Sequence, residues 1–308
     1  MAWGSLSGMA GTSPAMTASG LCGHDGGALG TGAKGCLEAL MTEKTTAPET
    51  GPKTELQTDT SQQTVAQLLQ QGLFHHRQGE IPTAMERYAA VLSRDPKNTE
   101  ALYYVAVIAC QEGQFKQGVD LARRAIDLGG ASARLHNLLG QALDRLGQPL
   151  EAVKNFDQAI ALDPNFALAH GNRANVMVDA GIPQEALKSF DRAVELDPKS
   201  VPDLINRGAL LQSLGRYADA LASVEQALTV VPGDPSILNN KGLALAALGR
   251  HDEALAAFDG AIAANPRSPQ IHRARAQVLE KLGRPDDARA AKARADELDP
   301  PPEPEANS

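Results

Sequence analysis

Residues 149–164 read PLEAVKNFDQAIALDP and residues 183–198 read PQEALKSFDRAVELDP. The two stretches share an alanine, a phenylalanine, a second alanine and a closing Asp-Pro, at an offset of 34 residues (183 − 149). The same interval connects Pro164, Pro198, Pro232, Pro266 and Pro300, and two steps backward reach Gly130 and Pro96. One period therefore runs from about residue 65 to residue 300. A fixed period of this size means a stack of like two-helix units, because one such unit alone cannot bury its apolar face.

Each unit can be numbered 1–34 with the terminal proline at position 32. Helix A is then expected over positions 1–14 and helix B over 18–31. Gly79, Gly113, Gly147, Gly181, Gly215, Gly249 and Gly283 all fall at position 15, where a helix C-terminus calls for a left-handed residue. Pro149, Pro183 and Pro285 follow two residues later, where a helix tolerates proline because that N–H has no partner anyway. The period-ending Asp-Pro pairs, as in LDPNF and LDPKS, are expected to stop helix B and to cap the next helix A.

Small residues recur where helices must touch. Position 8 holds Gly72, Ala106, Gly140, Ala174, Gly208, Gly242 and Ala276, and positions 20 and 27 are alanine in nearly every unit. A glycine inside a helix costs ~1 kcal/mol against alanine, so its repetition implies close approach of two helix axes. Position 24 carries the bulk, with Tyr88, Phe156, Phe190, Val224 and Phe258, and then Lys292 in the last unit. That final helix B, DDARAAKARADEL, is polar where another repeat would have covered it, so the array is expected to end there.

The pattern of Leu or His at 4, Gly or Ala at 8, Ala at 20, Phe or Tyr at 24, Ala at 27 and Pro at 32 resembles the tetratricopeptide repeat. Leu or His stands in place of the family's usual Trp at position 4. The second unit departs furthest, with Gly118, Ala122 and Gly130 where Ala, an aromatic and Pro are usual. The resemblance implies an all-α fold, a right-handed α-solenoid of seven tandem helix-turn-helix repeats over residues 61–300, with helix A lining a concave groove at positions 2, 5, 6, 9, 12 and 13.

At those positions Asn172, Asn206 and Asn240 share position 6 in consecutive units. Asn175 and Asn239 stand beside them, and Asn137 with Gln141 continues the polar stripe one unit earlier. Asparagine is a poor residue inside a helix, and its amide offers both the donor and the acceptor that match a peptide unit. The expected role is to hold an extended peptide; the alternative is that the amides are solvated or bridge neighbouring A helices. The row also resembles the asparagine ladder in the repeat region of O-linked N-acetylglucosamine transferases. That likeness implies a second reading, a substrate-recruiting subunit or remnant of such an enzyme without its catalytic domain.

Tyr103 and Tyr104 are candidates for an aromatic contact near the N-terminal end of the groove. Arg134, Arg145 and Arg173 are candidate receivers of acidic groups, although the carboxylate clamp of chaperone-binding relatives needs Lys and Asn at positions that do not match. His136, His170 and His272 share position 4 and are expected to pack, since whole repeats separate them. No catalytic motif occurs: there is no Gly-x-Ser-x-Gly turn, no His-Glu-x-x-His and no cysteine with an arranged base. The chain is therefore expected to be no enzyme and to need no cofactor or metal.

Composition sets the outer limits. Aromatic residues make up 4% of the 308, and the formal charge of -8 argues against a nucleic-acid partner. No apolar run approaches the ~18 residues of a membrane span. The three cysteines, Cys22, Cys36 and Cys110, imply no disulfide framework, which fits a cytoplasmic location. Residues 1–60 are rich in Gly, Ser, Thr and Ala and are expected to be disordered, as is the acidic tail 301–308. Met41 is an alternative start, and no secretory signal is read at the N-terminus. Gly27–Lys34 imitates a phosphate loop without its Lys-Ser/Thr ending, and Cys22, His24 and Cys36 lack a fourth metal ligand.

Overall fold

The computed structural model describes residues 63–299. The expectations for residues 1–60, Met41, Gly27–Lys34 and the Cys22, His24, Cys36 trio lie outside the described residues, as does that for the tail 301–308. Within them the chain forms α1 (Val65–Arg77), α2 (Ile81–Arg94), α3 (Thr99–Gln111), α4 (Phe115–Ala125), α5 (Ala133–Arg145), α6 (Pro149–Leu162) and α7 (Ala167–Asp179). There follow α8 (Pro183–Leu196), α9 (Val201–Ser213), α10 (Tyr217–Val230), α11 (Pro235–Ala247), α12 (His251–Ala264), α13 (Pro269–Lys281) and α14 (Pro285–Leu298). These fourteen helices are seven A/B pairs, the all-α solenoid of tandem repeats that the period implies.

The chain divides into two compact units between Val176 and Met177, within α7. In the N-terminal unit α1 packs on α2, α3 on α4 and α5 on α6, and α3 also touches α5. In the C-terminal unit α9 packs on α10, α11 on α12 and α13 on α14, while α9 touches α11 and α11 touches α13.

The position-15 glycines have φ between +68° and +76°, the left-handed end that the sequence requires of each helix A. The Asp-Pro turn behaves differently from expectation. Asp95, Asp163 and Asp197 are the residues that close helix B, and their Oδ1 atoms accept from the N–H of Lys97, Asn165 and Lys199 at 3.0–3.2 Å. They hold the turn around the proline and do not cap the next helix. Where a side chain caps helix A, it belongs to the residue just before the helix: Asn98 Oδ1 accepts from Ala101 N at 3.0 Å, Ser132 Oγ from Leu135 N, and Asp234 Oδ1 from Ser236 N and Ile237 N, while Ser200 and Ser268 make no such bond. The reason is reach. An Asx side chain bonds two residues ahead, and the proline forces an extended residue before helix A can begin.

Positions 8 and 24 fit each other by size. A Cβ on Gly140 would sit 2.7 Å from Phe156 Cε1, and one on Gly242 would sit 2.6 Å from Phe258 Cε1. Gly72 faces Tyr88 in the same way. Beside the smaller Val224, a Cβ on Gly208 would keep 3.2 Å, and opposite Ala122 the chain can use Ala106. The rings of Tyr88, Phe156, Phe190 and Phe258 are fully buried, each worth about 1.5–3 kcal/mol of hydrophobic stabilisation.

The second repeat is irregular for a visible reason. Lacking the Asp-Pro stop, α4 ends early and runs into a π turn at Ile126–Gly130, with Gly129 at φ +86°. Gly118 lies so close to Cys110 that a Cβ there would collide with its Sγ.

Inter-repeat ion pairs form a second regularity. Asp157 pairs with Arg173 at 2.7 Å, Asp191 with Arg207 at 2.6 Å, Glu225 with Lys241 at 3.0 Å and Asp259 with Arg275 at 2.7 Å. Each joins position 25 of a helix B to position 7 of the following helix A. Half-exposed pairs of this kind contribute ~0.2–1 kcal/mol apiece. Arg173, a candidate receiver of a partner's acidic group by sequence, is thus already committed to Asp157.

Candidate functional site

The nine candidate residues fall into both units. Tyr103, Tyr104, Asn137, Gln141, Asn172 and Asn175 belong to the N-terminal unit, and Asn206, Asn239 and Asn240 to the C-terminal unit.

In the N-terminal unit the tyrosines form part of an aromatic cluster. Tyr104 of α3 stacks on Tyr88 of α2 with ring centroids 5.5 Å apart and planes 10° apart. Tyr103 meets Tyr104 edge-on at 5.0 Å, and His76 of α1 lies edge-on to both Tyr88 and Tyr104. Tyr103 and Tyr104 are half-buried while Tyr88 is fully buried. Burial pushes the Tyr88 phenol well above its usual range. Burial also raises Tyr103, against the downward pull of the Arg134 guanidinium 5.5 Å from its ring.

Burial holds His76 below the usual histidine value of 6.5, and a hydrogen bond with Gln111 offsets part of that effect. The fold therefore favours neutral imidazole. Above pH 6.5 folded and unfolded His76 are both neutral; as pH falls through 6.5 the unfolded chain takes up the proton first, so stability drops. The thermal midpoint of the protein is expected to fall between pH 7.5 and 5.5, and His76→Gln is expected to flatten that slope. An unchanged slope in the variant would show that His76 titrates alike in both states.

Asn137 and Asn172 are 3% and 6% exposed, which decides how they are used. The Asn172 Nδ2 donates to Asn137 Oδ1 at 2.9 Å and so bridges α7 to α5. Gln141 is half-buried on α5, and Asn175, also half-buried, already has an interaction partner.

In the C-terminal unit Asn206 on α9 and Asn239 and Asn240 on α11 are all half-buried. Gln212 Nε2 donates to the Asn240 carbonyl at 3.2 Å, tying α9 to α11, and Asn206 also has a partner. Asn239 Oδ1 is buried and has no hydrogen-bond partner among the described residues. An acceptor left in that state costs ~1–3 kcal/mol. Across α9 and α11, positions 2, 5, 6, 9, 12 and 13 carry no ionisable side chain.

The position-4 histidines pack as their spacing implies. His170 Nε2 donates to the Pro164 carbonyl and His272 Nε2 to the Pro266 carbonyl, each at 3.1 Å, while His136 Nδ1 meets Asn155 Oδ1 at 3.1 Å. Among the described residues no group of three or more His, Cys, Asp or Glu is placed to hold a metal ion. No helix there is long and apolar enough to cross a membrane.

Two tetratricopeptide-repeat family profiles match this chain, one over residues 137–201 and 205–269, the other over 75–142 and 245–308. The chain belongs to the tetratricopeptide-repeat family. A curated relative, the CTR9 homolog of Arabidopsis thaliana, is 32% identical over 88 residues, which are 28% of this chain and 8% of that protein. The chain thus spans less than a tenth of that relative's length. Among solved structures, Pseudomonas aeruginosa PilF superposes with a TM-score of 0.57 at 18% identity over 68% of this chain and 94% of its own. YrrB, described as a tetratricopeptide-repeat protein with an unusual peptide-binding site, gives 0.55 at 21% identity over 59% and 94%. MamA from Desulfovibrio magneticus RS-1 gives 0.52 at 21% identity over 54% and 94%. At these identities the likeness is one of fold. The fold is that of a protein–protein interaction scaffold, and these relatives do not favour the glycosyltransferase reading.

Proposed function

We propose that this protein is a non-catalytic scaffold that binds an extended segment of a protein partner along its A helices. The observation that carries the proposal is the buried, unpartnered Asn239 Oδ1, next to half-buried Asn240 and on the helix adjoining that of Asn206. Once the half-buried Asn239 amide turns outward, an extended main chain supplies the N–H that this acceptor lacks, at little cost in sequence selectivity. The uncharged wall around it suits a neutral stretch of backbone. Asn137 and Asn172 serve differently in this reading: they hold α5 and α7 together behind the binding face. That YrrB, a protein of this fold, is described as having an unusual peptide-binding site supports the reading.

A displayed library of random extended peptides, selected on the full chain, tests the reading. Peptides recovered by the wild type are expected to bind Asn239→Ala/Asn240→Ala about tenfold or more weakly, with helicity kept and melting unchanged or raised, since the variant removes an unsatisfied acceptor. Undiminished binding would move the site off this wall. Glycosyl transfer by the purified chain alone would overturn the non-catalytic assignment.

A further inference from the structure

Many arginines of the described residues are held by carboxylates, others by main-chain carbonyls, as Arg94 by Gln63 and Arg124 by Pro96. Arg123, Arg173, Arg207, Arg216, Arg250, Arg273 and Arg275 each hold a carboxylate at 2.6–2.9 Å. Arg134 and Arg145 rest instead on aromatic rings. The Arg134 guanidinium carbon is 5.5 Å from the centroid of Tyr103 on α3, and that of Arg145 is 4.8 Å from Phe115 on α4. Both side chains are exposed, and among the described residues neither forms an ion pair.

Their placement on α5 is regular. Eleven residues separate them (145 − 134), close to three full turns, so they lie on one stripe about 16 Å apart along the axis. Gln141 lies on the same stripe between them. A guanidinium held on a ring keeps its N–H edge available to a carboxylate and has already lost part of its rotational freedom. Nearby, Arg77 at the end of α1 adds a further cation, while Glu100 on α3 and Asp144 on α5 are carboxylates of this wall. Asp144 is already engaged.

We propose that the α3–α5 wall of the N-terminal unit takes an acidic extended segment of a partner protein, with one carboxylate on Arg134 beside Tyr103 and a second on Arg145. At ~3.3 Å per extended residue, with alternate side chains on opposite faces, ~16 Å is bracketed by acidic residues about four or six positions apart. This inference rests on the scaffold reading above and adds the chemistry of the occupant.

The same peptide selection decides it. Peptides recovered by the wild type are expected to be enriched in Asp and Glu, with pairs about four or six residues apart. A synthetic peptide from that set is expected to lose about tenfold or more in affinity on Arg134→Gln/Arg145→Gln. Changing its own Glu residues to Gln is expected to do the same, and that arm leaves the protein untouched. Higher salt weakens the contact, and Arg134→Lys, which keeps the charge without the planar stack, falls between wild type and Arg134→Gln. Two results overturn the proposal: recovered peptides without acidic enrichment, or acidic peptides that bind the double variant equally well. Neutral peptides that depend on Asn239 and Asn240 would end the acidic preference and leave the scaffold reading standing. Recovery of no peptide at all would end both.

Discussion

Phe156→Ala is expected to destabilise the N-terminal unit by about 3–5 kcal/mol, the usual cost of removing a buried phenyl ring. Phe156 is 1% exposed and lies against the backbone of α5 at Gly140. Full closure of the void would need α5 and α6 to move together, and the ion pair from Asp157 to Arg173 also ties α6 to α7. Gly140→Ala is expected to cost ~1–3 kcal/mol in the wild type, since its methyl needs space that the Phe156 ring edge occupies. In the Phe156→Ala background that penalty disappears, and alanine's helix propensity, ~1 kcal/mol over glycine, makes the same change favourable. The pair therefore couples strongly, with opposite signs of the Gly140→Ala effect in the two backgrounds. Gly208→Ala, facing Val224, serves as a control with a much smaller effect. Urea denaturation of the four variants measures the cycle, and additivity within a few tenths of a kcal/mol would refute the size-matching account of positions 8 and 24.

Asn172→Ala is expected to lower stability by ~1–3 kcal/mol, because it strands the Asn137 oxygen in a site from which water is nearly excluded. Replacing both partners, as Asn137→Leu/Asn172→Leu, removes the unsatisfied group and is expected to cost less than the single change. The comparison separates the two roles open to this pair. Loss of stability in the single variant with recovery in the double marks an internal bridge. Unchanged melting with lost peptide binding would make Asn172 a direct grip on the partner, equal in role to Asn240. The contrast with Asn239→Ala/Asn240→Ala, where binding should fall and melting should not, is therefore the most informative one within the polar row.

Position 6 shows why residues of one type, in one register, take different parts. Asn172 and Asn240 occupy equivalent places in the repeat, but Asn172 has Asn137 within reach on the preceding helix A. Asn240 is preceded there by Ile205 and Asn206. The neighbour one repeat earlier decides whether an amide is consumed by the fold or left at its surface. Arginine behaves alike: at position 7, Arg173 and Arg207 meet carboxylates of the preceding helix B, whereas at positions 2 and 13 of the third repeat, Arg134 and Arg145 meet rings.

The repeat architecture was legible in the residues alone because its signals are local and are written seven times. A glycine that must adopt positive φ, a proline that cannot continue a helix, and small residues at fixed offsets act within one turn or one helix pair. The inter-repeat ion pairs were legible in principle too, as an acid followed 16 residues later by a base in four successive units. The cap assignment was not, since whether Asp or the residue three further on bonds the first helical N–H depends on the path of the chain around the proline. Nor was the choice of partner across helices. The contacts of Asn172 with Asn137 and of Arg134 with Tyr103 span 35 and 31 residues (172 − 137 and 134 − 103). Sequence by itself determined the fold class, the helix register and the polar row along the A helices. Tertiary structure alone decided which members of that row are buried and satisfied, as Asn137 and Asn172, and where an acceptor stays unpartnered, as at Asn239, because side-chain reach between packed helices depends on spacing and crossing that no single repeat encodes.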